Sequence, residues 1–261
     1  MIGFGYQMVF WQGRLRMINQ SLQSMGVKLA VTLASSFLFL NTMTAADLNQ
    51  TKESFSVEVT KTFAYKYLKY LPEGYDVKKK FPLLLFLHGG GERGNNLEQA
   101  TKHGPPKLIR QGKQFPFIVV SPQCPKGSRW SAEGLDAMLD DIIGKHAVDE
   151  SRIYCTGLSM GGHGTWALGG LNPKRFAALV PICGSGSRSD ARQIGKTPVW
   201  VFHGAKDRVV PLSESQRMVD ALKRRGGEPK FTIYPEAKHD SWTETYNNPK
   251  LYEWLLSHKR E

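Results

Sequence analysis

The most restrictive feature of this sequence is a set of short apolar runs in which apolar and polar residues do not alternate. Residues 83–87 (LLLFL) form the first run, and similar runs recur later in the chain, at residues 117–120, 153–156, 178–182, 199–202 and 231–234. A strand of this kind is buried on both faces, which is typical of parallel sheets covered by helices.

Helical patterns separate these runs, at residues 132–146, 160–171, 212–225 and 250–257. Such alternation predicts an α/β fold with a mainly parallel central sheet and helices on both faces. Two β-rich segments come earlier, at residues 55–60 and 65–71, and we expect antiparallel strands there. Functional residues should collect at the carboxyl ends of the parallel strands.

The chain of 261 residues is long enough for one sizeable core, and its 41% hydrophobic and 22% charged residues are ordinary for a globular protein. We therefore predict a single catalytic domain over residues 55–261. Residues 47–54 are polar and are interpreted as a linker.

The N-terminal residues are typical of an export signal. Lys28 precedes an apolar run at residues 29–40, and small residues at 44–46 precede the polar Asp47. A basic start, a short apolar core and a small-residue cleavage site predict a signal peptide over residues 1–46. The run is short for a transmembrane helix, although an uncleaved anchor is the alternative. The prediction is a secreted or periplasmic protein, without stable membrane insertion after cleavage.

The formal net charge of +12 includes basic clusters at residues 78–80 and 223–225. These clusters indicate either attraction to an anionic polymer or, more simply, solvated helix ends and turns. Basic and aromatic residues are not interleaved as in a nucleic-acid groove, so no nucleic-acid partner is predicted.

Three cysteines, Cys124, Cys155 and Cys183, allow at most one internal disulfide. Cys155 and Cys183 lie in apolar stretches and are interpreted as buried thiols. No cysteine and histidine spacing suggests zinc, and neither a metal nor another cofactor is predicted.

Residues 157–161 fit the motif G-x-S-x-G between an apolar run and a helical pattern. In that context the motif predicts a sharp strand-to-helix turn that exposes Ser159 as a nucleophile. The same turn places the N–H group of Met160 at a helix N-terminus, where it can stabilise a developing negative charge.

A serine nucleophile needs a general base, and His239 has the position expected of one. It is one of seven histidines and lies in a loop after the last apolar run. The acid that orients this base should follow a strand between the serine and the histidine. Asp207 fits this position, with Asp190 as the competitor, whereas Asp240 is too close to His239 in sequence to fold back onto its ring.

A second N–H group for the oxyanion should come from the loop after an early central strand. That loop contains His88 and the glycines at residues 89–91. Gly90 is our candidate donor and Gly91 the second choice, because glycine lets the backbone approach a substrate oxygen closely. We expect His88 to brace the loop.

Four short motifs, in the order in which they occur along the chain, resemble those of secreted bacterial α/β-hydrolases. This group includes predicted peptidases, phospholipase/carboxylesterase-like proteins, and esterases related to feruloyl esterases and polyhydroxybutyrate depolymerases. The motifs are residues 87–94 (LHGGGERG), 157–162 (GLSMGG), 203–207 (HGAKD) and 239–242 (HDSW). The resemblance covers residues 55–258 and implies carboxylic-ester hydrolysis without a cofactor. It also implies the roles already assigned to individual residues: the triad of Ser159, Asp207 and His239, with Gly90 and Met160 as oxyanion donors.

Many proteins of this fold insert a lid after the strand that follows the nucleophile helix. Here only residues 183–198 are available at that place, so we predict a loop and no lid domain. Such an open site favours bulky or polymer-attached esters. Trp130 and Trp242 are candidate walls of an acyl pocket, with packing in the core as the alternative for both.

Three functions are consistent with these residues. The leading hypothesis is a carboxylesterase that acts on a small-molecule or polymer-attached ester. The second is a serine peptidase acting on short peptides, since esters and amides share the mechanism. The third is a non-catalytic binding protein, which a missing triad residue would indicate; none is missing.

Overall fold

The computed structural model describes residues 53–260 together with Leu29–Ala30. The chain divides into two compact units, Met1–Phe63 and Ala64–Glu261. In the first unit, strand β1 (Leu29–Ala30) pairs antiparallel with β2 (Glu58–Val59). Apart from β1, the predicted signal peptide lies outside the described residues, as does most of the predicted linker; both stay predictions.

A seven-stranded sheet forms the centre of the second unit. Its strands are β3 (Lys66–Tyr70), β4 (Phe81–Leu87), β5 (Ile118–Gln123), β6 (Val148–Leu158), β7 (Ala178–Ile182), β8 (Trp200–Gly204) and β9 (Lys230–Tyr234). The order across the sheet is β3-β5-β4-β6-β7-β8-β9. β3 pairs antiparallel with β5, and the remaining neighbours are parallel. The mainly parallel sheet with an antiparallel N-terminal strand is thus confirmed.

Helices cover both faces of this sheet. They are α1 (Gly104–Arg110), α2 (Ala132–Lys145), α3 (Met160–Leu171), α4 (Arg188–Ile194), α5 (Leu212–Lys223), α6 (Trp242–Asn247) and α7 (Pro249–Leu256). Apolar side chains of α2–α5 pack on one face, and those of α1, α6 and α7 pack on the other. β4 shows why the apolar run does not alternate: Leu85 faces the first layer and its neighbours Leu84 and Phe86 face the second.

Three short helices were not predicted: α1, α4 and α6. Each has only six or seven residues, so apolar periodicity could not reveal it. α4 lies inside the segment predicted as a loop and begins with a capping box formed by Ser187 and Asp190. Within residues 53–260, no helix has the length and apolar character needed to cross a membrane.

Candidate active site

Ser159 lies in the sharp turn between β6 and α3, as its motif predicts. Its backbone has φ 52° and ψ −113°, outside the regions that side-chain-bearing residues usually occupy. A conformation of this kind costs on the order of 1–3 kcal/mol and persists only where the surrounding structure imposes it.

The glycines of the motif make this turn possible. A Cβ atom on Gly161 would overlap the carbonyl oxygen of Leu87, and one on Gly157 would overlap the carbonyl oxygen of Gly161. A Cβ on Gly162 would lie 2.5 Å from the carbonyl oxygen of Ile182. Helix α3 therefore begins in direct backbone contact with the ends of β4 and β7, and any side chain here would push it away.

The structure brings Ser159, His239 and Asp207 into one hydrogen-bonded chain. Nε2 of His239 lies 2.9 Å from Oγ of Ser159, and Nδ1 lies 2.7 Å from Oδ2 of Asp207. The three residues follow the carboxyl ends of β6, β9 and β8, so one edge of the sheet holds all three.

Asp207 is held as a carboxylate. Its side chain is fully buried, and Oδ1 accepts hydrogen bonds from the N–H groups of Val209 (2.8 Å) and Val210 (3.0 Å). Burial alone would raise the pKa of Asp207, but the hydrogen bonds from His239 and from these two N–H groups outweigh it and lower the pKa below its ordinary value.

This charge determines which ring nitrogen of His239 carries the proton. A carboxylate only accepts hydrogen bonds, so Nδ1 of the neutral ring donates to Asp207 and Nε2 keeps its lone pair. The Ser159 hydroxyl then donates to Nε2. The histidine side chain is 20% exposed and Ser159 is half-buried, so this end of the hydrogen-bonded group is open to solvent.

The two competing aspartates are used in local turns. Oδ2 of Asp190 accepts the N–H of Ser187 at 2.7 Å in the capping box of α4. Oδ1 of Asp240 accepts the N–H of Thr243 at 3.0 Å. Only Asp207, of the three aspartates considered, is hydrogen-bonded to the ring of His239.

The loop after β4 is braced by His88, which is buried. The N–H of Cys124 donates to its Nε2 (3.0 Å), and its Nδ1 lies 2.6 Å from the carbonyl oxygen of Gly89. Burial lowers the pKa of His88 and favours the neutral ring that these bonds require. Gly90 begins the following short 3-10 helix, and Met160 is the first residue of α3.

The two tryptophans have different positions. Trp130 is 8% exposed and belongs to the core; its Nε1 donates to the carbonyl oxygen of His88 at 3.1 Å. This burial favours the packing alternative for Trp130. Trp242 is half-buried and meets the ring of His239 edge-on, with centroids 5.3 Å apart. It stays the candidate for contact with a substrate.

The sequence did not predict two further residues that lie next to the hydrogen-bonded group of Ser159, His239 and Asp207. Nε2 of the buried His203 lies 3.2 Å from Oδ2 of Asp207, and its Nδ1 lies 2.7 Å from Oγ of Ser215. The H-x-x-x-D spacing of His203 and Asp207 was the available signal. Cys183, which follows β7, is completely buried below the site, and burial raises the pKa of its thiol to about 12.

Comparisons with known proteins agree with this architecture. The dienelactone hydrolase family matches residues 126–252. A solved structure described as a thermostable esterase is 34% identical, with a TM-score of 0.65, and the match covers 74% of this chain and 59% of that one. The α/β-hydrolase fold implied by the four motifs is thereby confirmed.

Two curated relatives carry different activities in their names. A probable feruloyl esterase C of Aspergillus terreus is 25% identical over 170 residues, which is 62% of each protein. A dipeptidyl-peptidase 5 of Aspergillus fumigatus is 26% identical over 220 residues, or 64% of this chain and 30% of the relative. This chain thus spans less than two thirds of the length of either relative. The matches support a hydrolase and include both esterases and peptidases.

Proposed function

We propose that this protein is a serine hydrolase that cleaves carboxylic esters through an acyl-enzyme on Ser159. The observation that carries the proposal is the hydrogen-bonded chain from Asp207 through His239 to Ser159 at the edge of a parallel sheet. A serine hydroxyl is a weak nucleophile at neutral pH, and this arrangement supplies the base that activates it.

In the first step, Oγ of Ser159 attacks the ester carbonyl carbon while Nε2 of His239 takes the hydroxyl proton. The carbonyl electrons move onto the oxygen, and the N–H groups of Gly90 and Met160 stabilise that charge. Asp207 stabilises the imidazolium by its negative charge without taking the proton itself.

In the second step, the tetrahedral intermediate collapses and the bond to the alcohol breaks. His239 gives its proton to the leaving alkoxide, and the acyl group stays on Ser159. A water molecule then attacks the acyl carbon while His239 takes one of its protons. The bond between the acyl carbon and Oγ of Ser159 breaks, His239 returns the proton to Oγ, and the acid is released.

For the substrate we propose a small-molecule or polymer-attached ester, such as a hydroxycinnamoyl or acetyl ester on plant polysaccharide. Similarity to a feruloyl esterase supports this class. The export signal predicted for residues 1–46 is consistent with a substrate outside the cytoplasm, and we propose a secreted or periplasmic location.

A peptidase is the second candidate, because the dipeptidyl-peptidase 5 relative is about as similar in identity as the feruloyl esterase. The chemistry of the leaving group separates the two. An alkoxide leaves readily, whereas an amine must be protonated as the intermediate breaks down. Dedicated peptidases offset this with binding contacts that strengthen in the transition state.

The test is a pair of substrates with the same acyl group, one an ester and one an amide. We expect kcat/KM for the ester to exceed that for the amide by several orders of magnitude, and Ser159→Ala to abolish both activities. Comparable kcat/KM values for the ester and the amide would favour the peptidase over the esterase as the function of this protein. Binding of both compounds without turnover would favour the non-catalytic protein.

A further inference from the structure

Cys183 is placed under the active site by an unusual backbone conformation. It has φ 39°, and Ser159 is the only other non-glycine residue with positive φ among the described residues. The two turns are adjacent, because the N–H of Ser159 donates to the carbonyl oxygen of Ile182 at 2.9 Å. Strain of this kind calls for a functional explanation.

The thiol joins two side chains of the proposed triad in a compact group of donor atoms. Sγ of Cys183, a carboxylate oxygen of Asp207 and a ring nitrogen of His239 all lie within 4.8 Å of one another. Sulfur, imidazole and carboxylate are the three donor types that bind zinc in proteins. These residues follow three different strands, so no sequence spacing could reveal them together.

Ser241 provides a second, independent observation. Its hydroxyl is completely buried and has no nitrogen or oxygen partner within the described residues. It approaches the thiol of Cys183. A buried hydroxyl without such a partner is costly, and here it points to a ligand beside the sulfur.

We propose that Cys183, Asp207 and His239 form a latent inhibitory site for a thiophilic divalent cation of the zinc group. The cation replaces the thiol proton, which passes to water, and binds Sγ, a carboxylate oxygen of Asp207 and Nδ1 of His239. The proton of Nδ1 moves to Nε2 by exchange with water, so the ring stays neutral.

Inhibition follows from that change of tautomer. With its proton on Nε2, His239 can only donate toward Ser159 and can no longer accept the hydroxyl proton. Mg²⁺ and Ca²⁺ should not act here, because they prefer sets of oxygen ligands over sulfur and nitrogen. The site therefore distinguishes zinc and cadmium from the abundant hard cations.

The binding test uses Cd²⁺ and the Ser159→Ala variant, which retains all three ligands. Titration should produce the ultraviolet charge-transfer band of a cadmium–thiolate bond, saturating at one ion per chain. The band should disappear in Ser159→Ala/Cys183→Ala and persist in Ser159→Ala/Cys155→Ala. Cys155 is the matched control because it is also completely buried but is not part of the group formed by Cys183, Asp207 and His239.

The inhibition test rests on the proposed function and uses ester turnover by the wild-type chain. Cd²⁺ and Zn²⁺ should inhibit and EDTA should restore activity. In Cys183→Ala, the metal concentration that halves the variant's own activity should be at least about 10-fold higher than in wild type. The reason is that even changes outside a metal's ligands cost roughly 10- to 100-fold in affinity. Cys183→Ser replaces this variant if thermal melting shows that alanine prevents folding.

Equal inhibition of wild type and Cys183→Ala, or no thiolate band in Ser159→Ala, would overturn the metal site. A chain that shows the band but hydrolyses no ester would retain the metal site and refute the proposed function. The two proposals can therefore fail separately.

Discussion

At the residue scale, Asp207 determines which nitrogen of His239 carries the proton. Four groups donate to its carboxylate or approach it, and its charge keeps the proton of His239 on Nδ1. Asp207→Asn presents an amide that favours the wrong tautomer, and we expect turnover to fall about 10⁴-fold. Asp190→Asn is the matched control, because Asp190 serves the capping box of α4 and should affect stability only. A larger loss of turnover in Asp190→Asn would contradict the assignment of the acid.

The lowered pKa of Asp207 also makes a prediction about stability. A carboxyl group whose pKa is lower in the folded than in the unfolded chain stabilises the fold above its unfolded pKa, about 3.9, and loses that contribution as pH falls through its folded pKa. The free energy of unfolding of wild type should therefore exceed that of Asp207→Asn most at neutral pH, with the difference shrinking in acid. Urea unfolding of both proteins from neutral pH into acid measures this difference in the free energy of unfolding. A difference that grows in acid would contradict a lowered pKa of Asp207.

The site residues differed in how well the sequence could predict them. Ser159, Asp207 and His239 were found because each follows a recognisable apolar run in a known order. Cys183 and His203 also follow such runs, but their importance depends on which neighbours the fold supplies. The Cys183 thiol and the Asp207 carboxylate follow two neighbouring strands and lie within 4.8 Å of each other, and no local pattern encodes that distance.

At the element scale, the glycines at positions 161 and 162 in the first turn of α3 leave no room for a side chain. Gly161→Ala places a Cβ against the carbonyl oxygen of Leu87, so we expect destabilisation of roughly 1–3 kcal/mol or more and loss of turnover as Ser159 is displaced. Gly144→Ala in α2 is the matched control, since a Cβ there has no neighbour within 4 Å. It should stabilise the chain by up to about 1 kcal/mol. Thermal melting and ester turnover measure both, and a Gly161→Ala variant as stable and active as wild type would contradict the backbone contact.

Element boundaries show where sequence patterns stop being informative. The apolar run at residues 153–156 predicted only the centre of β6, which begins at Val148. The register of β4 and β6 shifts between the pairs Phe81–Val148 and Leu83–Ile153, and the polar residues 149–152 lie in this irregular stretch of the strand. The short helices α1, α4 and α6 were missed because six or seven residues carry too little periodicity.

At the scale of the whole molecule, the parallel sheet explains how residues 80 positions apart in sequence become hydrogen-bonded. The central apolar runs predicted parallel strands, and parallel strands end at one edge, so the meeting of Ser159 and His239 followed from the sequence. The identity of the ester did not follow from the sequence, because pocket walls are assembled from loops and short helices. Trp130 illustrates this: its sequence position allowed either role, and its burial, which favours packing, became visible only in the fold.

The predicted export signal makes a prediction for the mature chain. If the signal is cleaved, protein recovered from the periplasm or medium of an expressing bacterium should begin near Asp47. N-terminal sequencing of the exported protein measures this directly. Exported protein that retains residues 29–40 would support the uncleaved anchor.

Whether Ser159 is the nucleophile can be measured directly as the mass of the protein quenched during turnover of a slowly deacylating ester. We expect one acyl group per chain, located by peptide fragmentation on Ser159 and absent from Ser159→Ala. Rapid turnover should continue only where this adduct forms and decays. An adduct on another residue, or sustained ester turnover by Ser159→Ala, would show that Ser159 is not the nucleophile.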